Sequence, residues 1–134
     1  MRPVRAGTSF RVSFALSRFS TGYRKNSTTA KVWEDYNMLI TLPEEGATLK
    51  GKPRVAPRIR KRKDPDAADN TLIAWNQVPM RVLPGVKKNY TRKFSFAVKV
   101  DKTFVGDLTF VAAATGPEAG WLRETTLTVP VTHK

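Results

Sequence analysis

Two segments in the second half of the chain alternate apolar and polar residues with the period of a β-strand. In residues 92–100 the apolar positions are Phe94, Phe96, Val98 and Val100. In residues 107–115 they are Leu108, Phe110, Ala112 and Ala114. Alternate side chains of a strand point to opposite faces, so each segment predicts a strand with one buried face. The connection between them is polar and contains Gly106, and we expect the two strands to pair as a hairpin.

The rest of the chain shows the same pattern in short segments separated by turn residues. Residues 9–17 alternate, with Phe10, Phe14 and Leu16 on one face. Residues 30–42 are rich in β-branched and aromatic side chains and predict two strands or one bulged strand, with a helix as the alternative. The last apolar run, residues 121–132, contains Pro130, which favours an edge strand. About seven short strands with little helical periodicity predict an all-β sandwich.

Length and composition exclude several classes of protein. The 134 residues suffice for a single domain, residues 1–134, with its own core. There is no cysteine, so disulfides, thiolate metal sites and a cysteine nucleophile are excluded. The one histidine, His133, is next to the last residue, where we expect solvent. No apolar run reaches the about 18 residues that a spanning helix needs, so we expect no membrane span.

The chain is strongly basic, with 24 Lys and Arg against 11 Asp and Glu and a net charge of +13. Many of these cations occur in residues 50–63, which contain no acid and are interrupted by Gly and Pro. A segment with this charge cannot bury itself, so we predict a long exposed basic loop or extended arm at about residues 50–69, with room for a short strand around Val55 to Ile59. We call its cations the basic arm: Lys50, Lys52, Arg54, Arg58, Arg60, Lys61, Arg62 and Lys63.

The basic arm is the predicted binding site. Cations that neutralise a polyanion release its counterions, so the arm would bind nucleic acid or an acidic polysaccharide in a salt-dependent way. It contains no aromatic residue on which bases could stack, which disfavours single-stranded nucleic acid. Two other interpretations stay open, a plain solvated loop and docking onto an acidic neighbouring subunit.

The residues indicate no catalytic centre. No serine lies in a glycine-flanked nucleophile elbow, and no glycine-rich phosphate loop is present. Asp64, Asp66 and Asp69 come nearest to a cation site, but the distal glutamate of a calcium loop is missing and basic residues adjoin them, so we predict a solvated turn. We therefore expect no enzymatic activity, no metal and no cofactor.

Three other features bear on location and surface. Asn26 and Asn89 each begin an Asn-X-Ser/Thr acceptor for glycosylation, which matters only in a eukaryotic secreted protein. Residues 1–33 are basic and free of acids, as in an organellar transit peptide, but their strand-like alternation favours a first strand instead. No continuous apolar run precedes a small-residue cleavage site, so we expect no secretory signal. We expect Trp75 to lie in the core rather than on a sugar-binding surface.

A series of short motifs extends over most of the chain, and their order is informative. The motifs are Ala6-Gly7-Thr8 with the strand Phe10–Leu16, then Leu42 and Pro43 with Glu45 and Gly46, Leu72–Trp75, Leu83-Pro84-Gly85, Phe94–Val100 and Leu108–Ala114. Together they resemble one unit of the conserved surface-protein repeat, which occurs in tandem in large cell-surface and extracellular proteins. The resemblance implies an immunoglobulin-like, two-sheet antiparallel β-sandwich with a structural or adhesive role and no active site.

We therefore predict a non-enzymatic structural, assembly or adhesion module of a cell-surface or extracellular filament. It would contact other protein subunits, identical or different, through edge strands and the basic arm, and an acidic polysaccharide is a further predicted partner. The alternative is a basic organellar (mitochondrial) or ribosome-associated protein whose arm binds RNA. A preference for RNA over a sulfated polysaccharide would favour the alternative, and a glycan on Asn26 or Asn89 would exclude it.

Overall fold

The computed structural model describes residues 2–21, 32–53, 58–64, 67–82, 87–116 and 122–133, which form nine β-strands. None of these residues belongs to a helix long and apolar enough to cross a membrane. In chain order the strands are β1 (Val4–Arg5), β2 (Ser9–Thr21), β3 (Val32–Thr41), β4 (Ala47–Lys50), β5 (Arg58–Asp64), β6 (Ala67–Val82), β7 (Lys87–Val100), β8 (Asp107–Thr115) and β9 (Leu122–Thr132).

The strands form two sheets that face each other. One sheet has six strands in the order β1-β9-β8-β3-β6-β5, and the other has three in the order β2-β7-β4. Neighbouring strands are antiparallel except for β1 and β9, which pair in parallel at Val4 and Arg5. The prediction of an all-β, two-sheet and mainly antiparallel fold is confirmed.

The core lies between the sheets and consists of the alternating apolar residues. Phe96 on β7 packs against Phe110 on β8, with the ring centroids 6.0 Å apart. Trp75 on β6 packs edge-on against Phe94 at 5.0 Å and is 2% exposed, which confirms its predicted place in the core. The indole Nε1 of Trp75 is buried there, and no described residue forms a hydrogen bond with it. Cross-sheet aromatic pairs of this kind add to the free energy that burial of apolar area supplies.

The predicted hairpin between β7 and β8 is wrong. β7 pairs with β2 and β4, whereas β8 pairs with β3 and β9 in the other sheet. The connection at residues 101–106 therefore carries the chain across the sandwich. Both arrangements would bury the two apolar faces, and a connection of this length permits either. Alternation along a strand indicates which face is buried, but it does not indicate which strand is the neighbour.

The predicted basic loop at residues 50–69 is also partly wrong, because much of it is strand. β5 pairs antiparallel with β6, from Arg58 opposite Ala74 to Asp64 opposite Ala67, and forms the outer edge of the six-stranded sheet. Residues 54–57 and 65–66 lie outside the described residues. An edge strand pairs on one side and meets water on the other, so a high charge does not prevent it from forming.

β3 confirms the prediction of a bulged strand in residues 30–42 and excludes the helical alternative for its described part. Its register with β6 shifts between Tyr36 and Met38, so Asn37 lies opposite two residues of β6, Asn76 and Gln77. On the β6 side Gln77 has a φ of 54°, in the left-handed region. The backbone NH of Gln77 donates to Oδ1 of Asn37 at 3.1 Å. The asparagine side chain thus satisfies a backbone group that the ladder leaves unpaired at the bulge.

Candidate binding surfaces

The outer face of the three-stranded sheet is basic. Its strands alternate strictly, so the side chains between the core positions point away from the core. Among the outward side chains that the structure describes, four are exposed cations: Arg11 on β2, Lys50 on β4, and Lys93 and Lys99 on β7. The sequences of these three strands contain no Asp or Glu. We call this surface the basic face.

The strand register distributes the cations over the face. Arg11 and Lys50 both pair with Ala97 of the central strand, from opposite sides. Two strand spacings separate their Cα atoms, which is about 10 Å. Lys99 and Lys93 lie on β7 to either side of this row. The cations therefore face small residues instead of one another, which keeps like charges from direct cross-strand contact.

Hydroxyl groups hold two of these cations against the sheet. Nη1 of Arg11 donates to Oγ of Ser95 at 3.2 Å, and Ser95 is only 7% exposed although it belongs to the outer face. Nζ of Lys50 donates to Oγ of Ser9 at 3.3 Å. Neither hydroxyl neutralises its cation, so the positive charge stays available to an anion while part of the side-chain entropy is already lost.

Only part of the predicted basic arm belongs to this surface. Lys50 is an exposed member of the basic face, and Lys52 is exposed just after β4. Arg54 lies outside the described residues. The remaining predicted cations are in β5, at the far edge of the other sheet, and only their backbone is described: Arg58, Arg60, Lys61, Arg62 and Lys63. The structure therefore divides the predicted site between two sheets and adds Arg11, Lys93 and Lys99 to Lys50.

These three residues are not apparent from the sequence as a site, because each is isolated from other cations of the face. A run of cations is visible by inspection, whereas Arg11 and Lys99 are 88 positions apart, by subtraction of their numbers. The alternation did contain a signal, since all three occupy outward positions of strands whose inward positions are apolar. What was missing was the pairing of β2 with β7.

The other predicted sites fall in different places. Asn26 lies outside the described residues, and Asn89 lies within strand β7, opposite Phe19. Asp66 lies outside the described residues as well, while Asp64 and Asp69 are in β5 and β6. Within the part of the chain that the structure describes, no group of three or more His, Cys, Asp or Glu side chains is placed to hold a metal ion.

A second surface is the open edge of β2. Among the described residues β2 pairs along all of its 13 residues with β7 and with no other strand. The backbone NH of Val100 donates to the carbonyl of Thr8 at 2.9 Å, so the backbone of Thr8 is hydrogen-bonded to β7. Hydrogen-bonded and non-hydrogen-bonded pairs alternate along an antiparallel ladder, so the even-numbered residues of β2 direct their backbone NH and CO groups toward β7. The odd-numbered residues, such as Ser13 and Ala15, point theirs to the open edge.

An apolar groove runs beside this edge, between the two sheets. It has a volume of about 170 Å³ and is lined by Phe14 and Leu16 of β2 and by Ala112 and Ala114 of β8. Arg123 and other residues at the start of β9 form its rim. The groove exists because the six-stranded sheet extends past the three-stranded one and the two alanines of β8 leave space. Residues 122–126 of β9 are accordingly exposed on both faces.

The chain matches no protein-family profile and no curated protein sequence. Among solved structures it is similar to AvmM, which is described as catalysing macrocyclization in alchivemycin A biosynthesis. The TM-score is 0.44 and the identity 9%, over 95% of this chain and 82% of that chain. At these values the similarity supports no conclusion about function, and the resemblance to the surface-protein repeat stays a prediction.

Proposed function

We propose that this protein is a non-enzymatic structural module that assembles with other protein subunits by strand addition, in a cell-surface or extracellular setting. The observation that carries the proposal is the open edge of β2. A strand of 13 residues without proline or glycine presents backbone groups along one side that no described residue pairs with. Proteins usually shield such edges, and an unshielded one binds an added strand through main-chain hydrogen bonds.

The groove supports the same proposal. A strand added beside β2 would direct every second side chain toward the space between the sheets. There the groove offers apolar contact with Phe14, Leu16, Ala112 and Ala114, so an apolar side chain of the incoming strand would be buried. Main-chain hydrogen bonds would supply part of the affinity, and this pocket would select the side chain.

We also propose that the β-sandwich is immunoglobulin-like, and the strand order supports this. In immunoglobulin domains strands G, F and C are neighbours in one sheet, and B and E are neighbours in the other. The same neighbours occur here if β2, β3, β7, β8 and β9 correspond to B, C, E, F and G. In that correspondence the three-stranded sheet lacks a strand on the outer side of B, which is where the added strand would lie.

The test is a proline at an outward position of the open edge. The backbone NH of Ser13 points away from β7, so Ser13→Pro removes a hydrogen-bond donor from the open edge and leaves the β2–β7 ladder intact. We expect the wild type to self-associate with increasing concentration in sedimentation velocity, most clearly at high salt, where repulsion between these basic chains is screened. Ser13→Pro should weaken the association by about tenfold or more.

The matched control is Ser13→Ala, which changes the same exposed side chain but keeps the NH group. It should associate like the wild type. Thermal unfolding of both variants checks that the fold is retained. A wild type that stays monomeric at all concentrations and salts, or equal association of the two variants, would contradict strand addition between copies of this chain.

A further inference from the structure

We propose that the basic face binds a linear acidic polysaccharide, one that carries sulfate or carboxylate groups. The inference uses outward side chains of β2, β4 and β7 and not the backbone edge of β2, so it goes beyond the assembly role and does not depend on it. Three of its four cations, Arg11, Lys93 and Lys99, lie outside the basic segment of the sequence.

The charge distribution suits an extended anionic chain. Lys93 and Lys99 are six residues apart along one strand, which corresponds to about 20 Å. Arg11 and Lys50 lie on the two strands that flank β7, so the four cations form an elongated area, the track, that runs along β7. The nearest acid in the sequence, Asp101, lies just past the end of β7. A ligand lying along the track meets positive charge over its whole length.

Between the cations the face is small and rich in hydroxyl groups. Ser9, Ser13 and Ser95 belong to it, and Oγ of Ser17 lies 2.8 Å from Oγ1 of Thr91. Hydroxyl groups donate to the anionic groups of a sugar chain, and they both donate to and accept from its hydroxyl groups. The side chains at the centre of the face are short, so a polysaccharide chain can approach the sheet closely. The longer Lys and Arg side chains around it can then reach the anionic groups of the polysaccharide.

Nucleic acid fits this face less well. Among the outward positions of β2, β4 and β7 whose side chains the structure describes, none carries a ring that could stack on a base, since all are Ser, Thr, Ala, Lys or Arg. A duplex is read by an element that enters a groove, and a flat sheet surface would touch only its convex backbone. An acidic polysaccharide needs neither feature, since its anionic groups and hydroxyl groups are themselves the contacts.

The experiment compares two triple variants that lose the same charge. The face variant carries Arg11→Gln, Lys93→Gln and Lys99→Gln. The control variant carries Arg2→Gln, Arg5→Gln and Arg123→Gln, which are exposed positions near β1 and on β9 of the other sheet. Affinity for heparin, as a sulfated polysaccharide probe, is measured by titration at several salt concentrations, beside single-stranded and duplex RNA of matched charge.

We expect the face variant to lose heparin affinity by about tenfold or more and to show a shallower dependence on salt, because fewer counterions are released. The control variant should change by only about twofold, from the lower net charge alone. The wild type should bind heparin more tightly than either RNA at the same salt. Equal losses in the two variants, or tighter binding to RNA, would overturn the proposal.

Two further measurements cover the remaining outcomes. Nuclear magnetic resonance of the wild type should show heparin-induced shifts clustered on β2, β4 and β7, which tests the site even if the face variant does not fold. Shifts clustered on β5 would overturn the proposal in favour of the basic arm. Ala15→Pro removes another NH from the open edge but leaves every hydroxyl group and cation of the basic face in place. It should retain heparin binding while it weakens self-association, so a failure of one proposal is distinguishable from a failure of the other.

Discussion

At the scale of single residues, the turn before β4 depends on a glycine for two separate reasons. Gly46 has a φ of 94°, which side chains rarely adopt. A Cβ atom at this position would lie 2.6 and 2.7 Å from Cγ and Cε1 of Phe104, which is inside van der Waals contact. The carbonyl of Gly46 also accepts a hydrogen bond from the backbone NH of Asp101 at 2.9 Å. The glycine thus joins the turn to the connection that crosses between the sheets.

We expect Gly46→Ala to lower the free energy of unfolding by about 2–4 kcal/mol, from the strained φ together with the clash against Phe104. Gly51→Ala is the matched control, because Gly51 also has a positive φ, 70°, but no atom lies within 4 Å of the added Cβ. It should cost about 1 kcal/mol. Urea unfolding of both variants measures the difference, and equal losses would show that the Phe104 contact is relieved without cost.

At the scale of elements, the bulge between β3 and β6 determines the register of these two strands in the six-stranded sheet. Gln77 occupies the left-handed region there and is exposed, so its conformation is not a consequence of burial. The same register places Met38 opposite Trp75, on the face that builds the core. A change at the bulge therefore acts on the core through strand pairing.

We expect Gln77→Val to lower the free energy of unfolding by about 1–2 kcal/mol, because a β-branched side chain is disfavoured at positive φ. Gln77→Gly should be within about 0.5 kcal/mol of the wild type, since relief of strain offsets the greater freedom of the unfolded chain. Asn76→Val, at the exposed neighbouring position, is the control and should not destabilise. A loss for Asn76→Val as large as that for Gln77→Val would argue against the role of the backbone conformation.

Element by element, the strands follow from the sequence and their partners do not. The strands β2, β7, β8 and β9 were predicted from alternation, and the bulged strand β3 from its β-branched and aromatic residues. The prediction from Pro130 that the last strand is an edge strand is wrong, because β9 lies between β1 and β8. The segment Arg58–Asp64 was predicted as a loop because its charge opposes burial on both faces. As an edge strand it needs only one paired side, and its net positive charge discourages pairing with a further copy. The other edge strand, β2, carries much less charge, since its 13 residues include only two cations, Arg11 and Arg18.

At the scale of the whole molecule, the net charge of +13 opposes compaction. We expect the melting temperature to rise by about 3–5 °C, which is about 1 kcal/mol for a domain of this size, when NaCl is raised from about 0.01 to about 0.1 M. The Debye length then falls from about 30 to about 10 Å, so repulsion among surface cations is screened. Calorimetry at the two salt concentrations measures the change.

The face variant, which has three fewer positive charges, should show a smaller rise under the same conditions. A melting temperature that falls with salt would mean that attractive ion pairs outweigh the repulsion. That result would contradict the charge distribution of the basic face, where the described cations have hydroxyl groups and small residues as neighbours.

The sequence by itself determined which of the apolar segments extend, which of their faces are buried and that the surface is basic, because these properties depend on side chains a few positions apart. It also identified Lys50 as a member of a cationic surface. Only the tertiary structure decided that β7 lies beside β2, that β8 lies in the opposite sheet, and that Arg11, Lys93 and Lys99 share a face. Pairing brings together residues far apart in the sequence, and alternating strands of similar composition pair equally well in several orders until the packing of the core selects one.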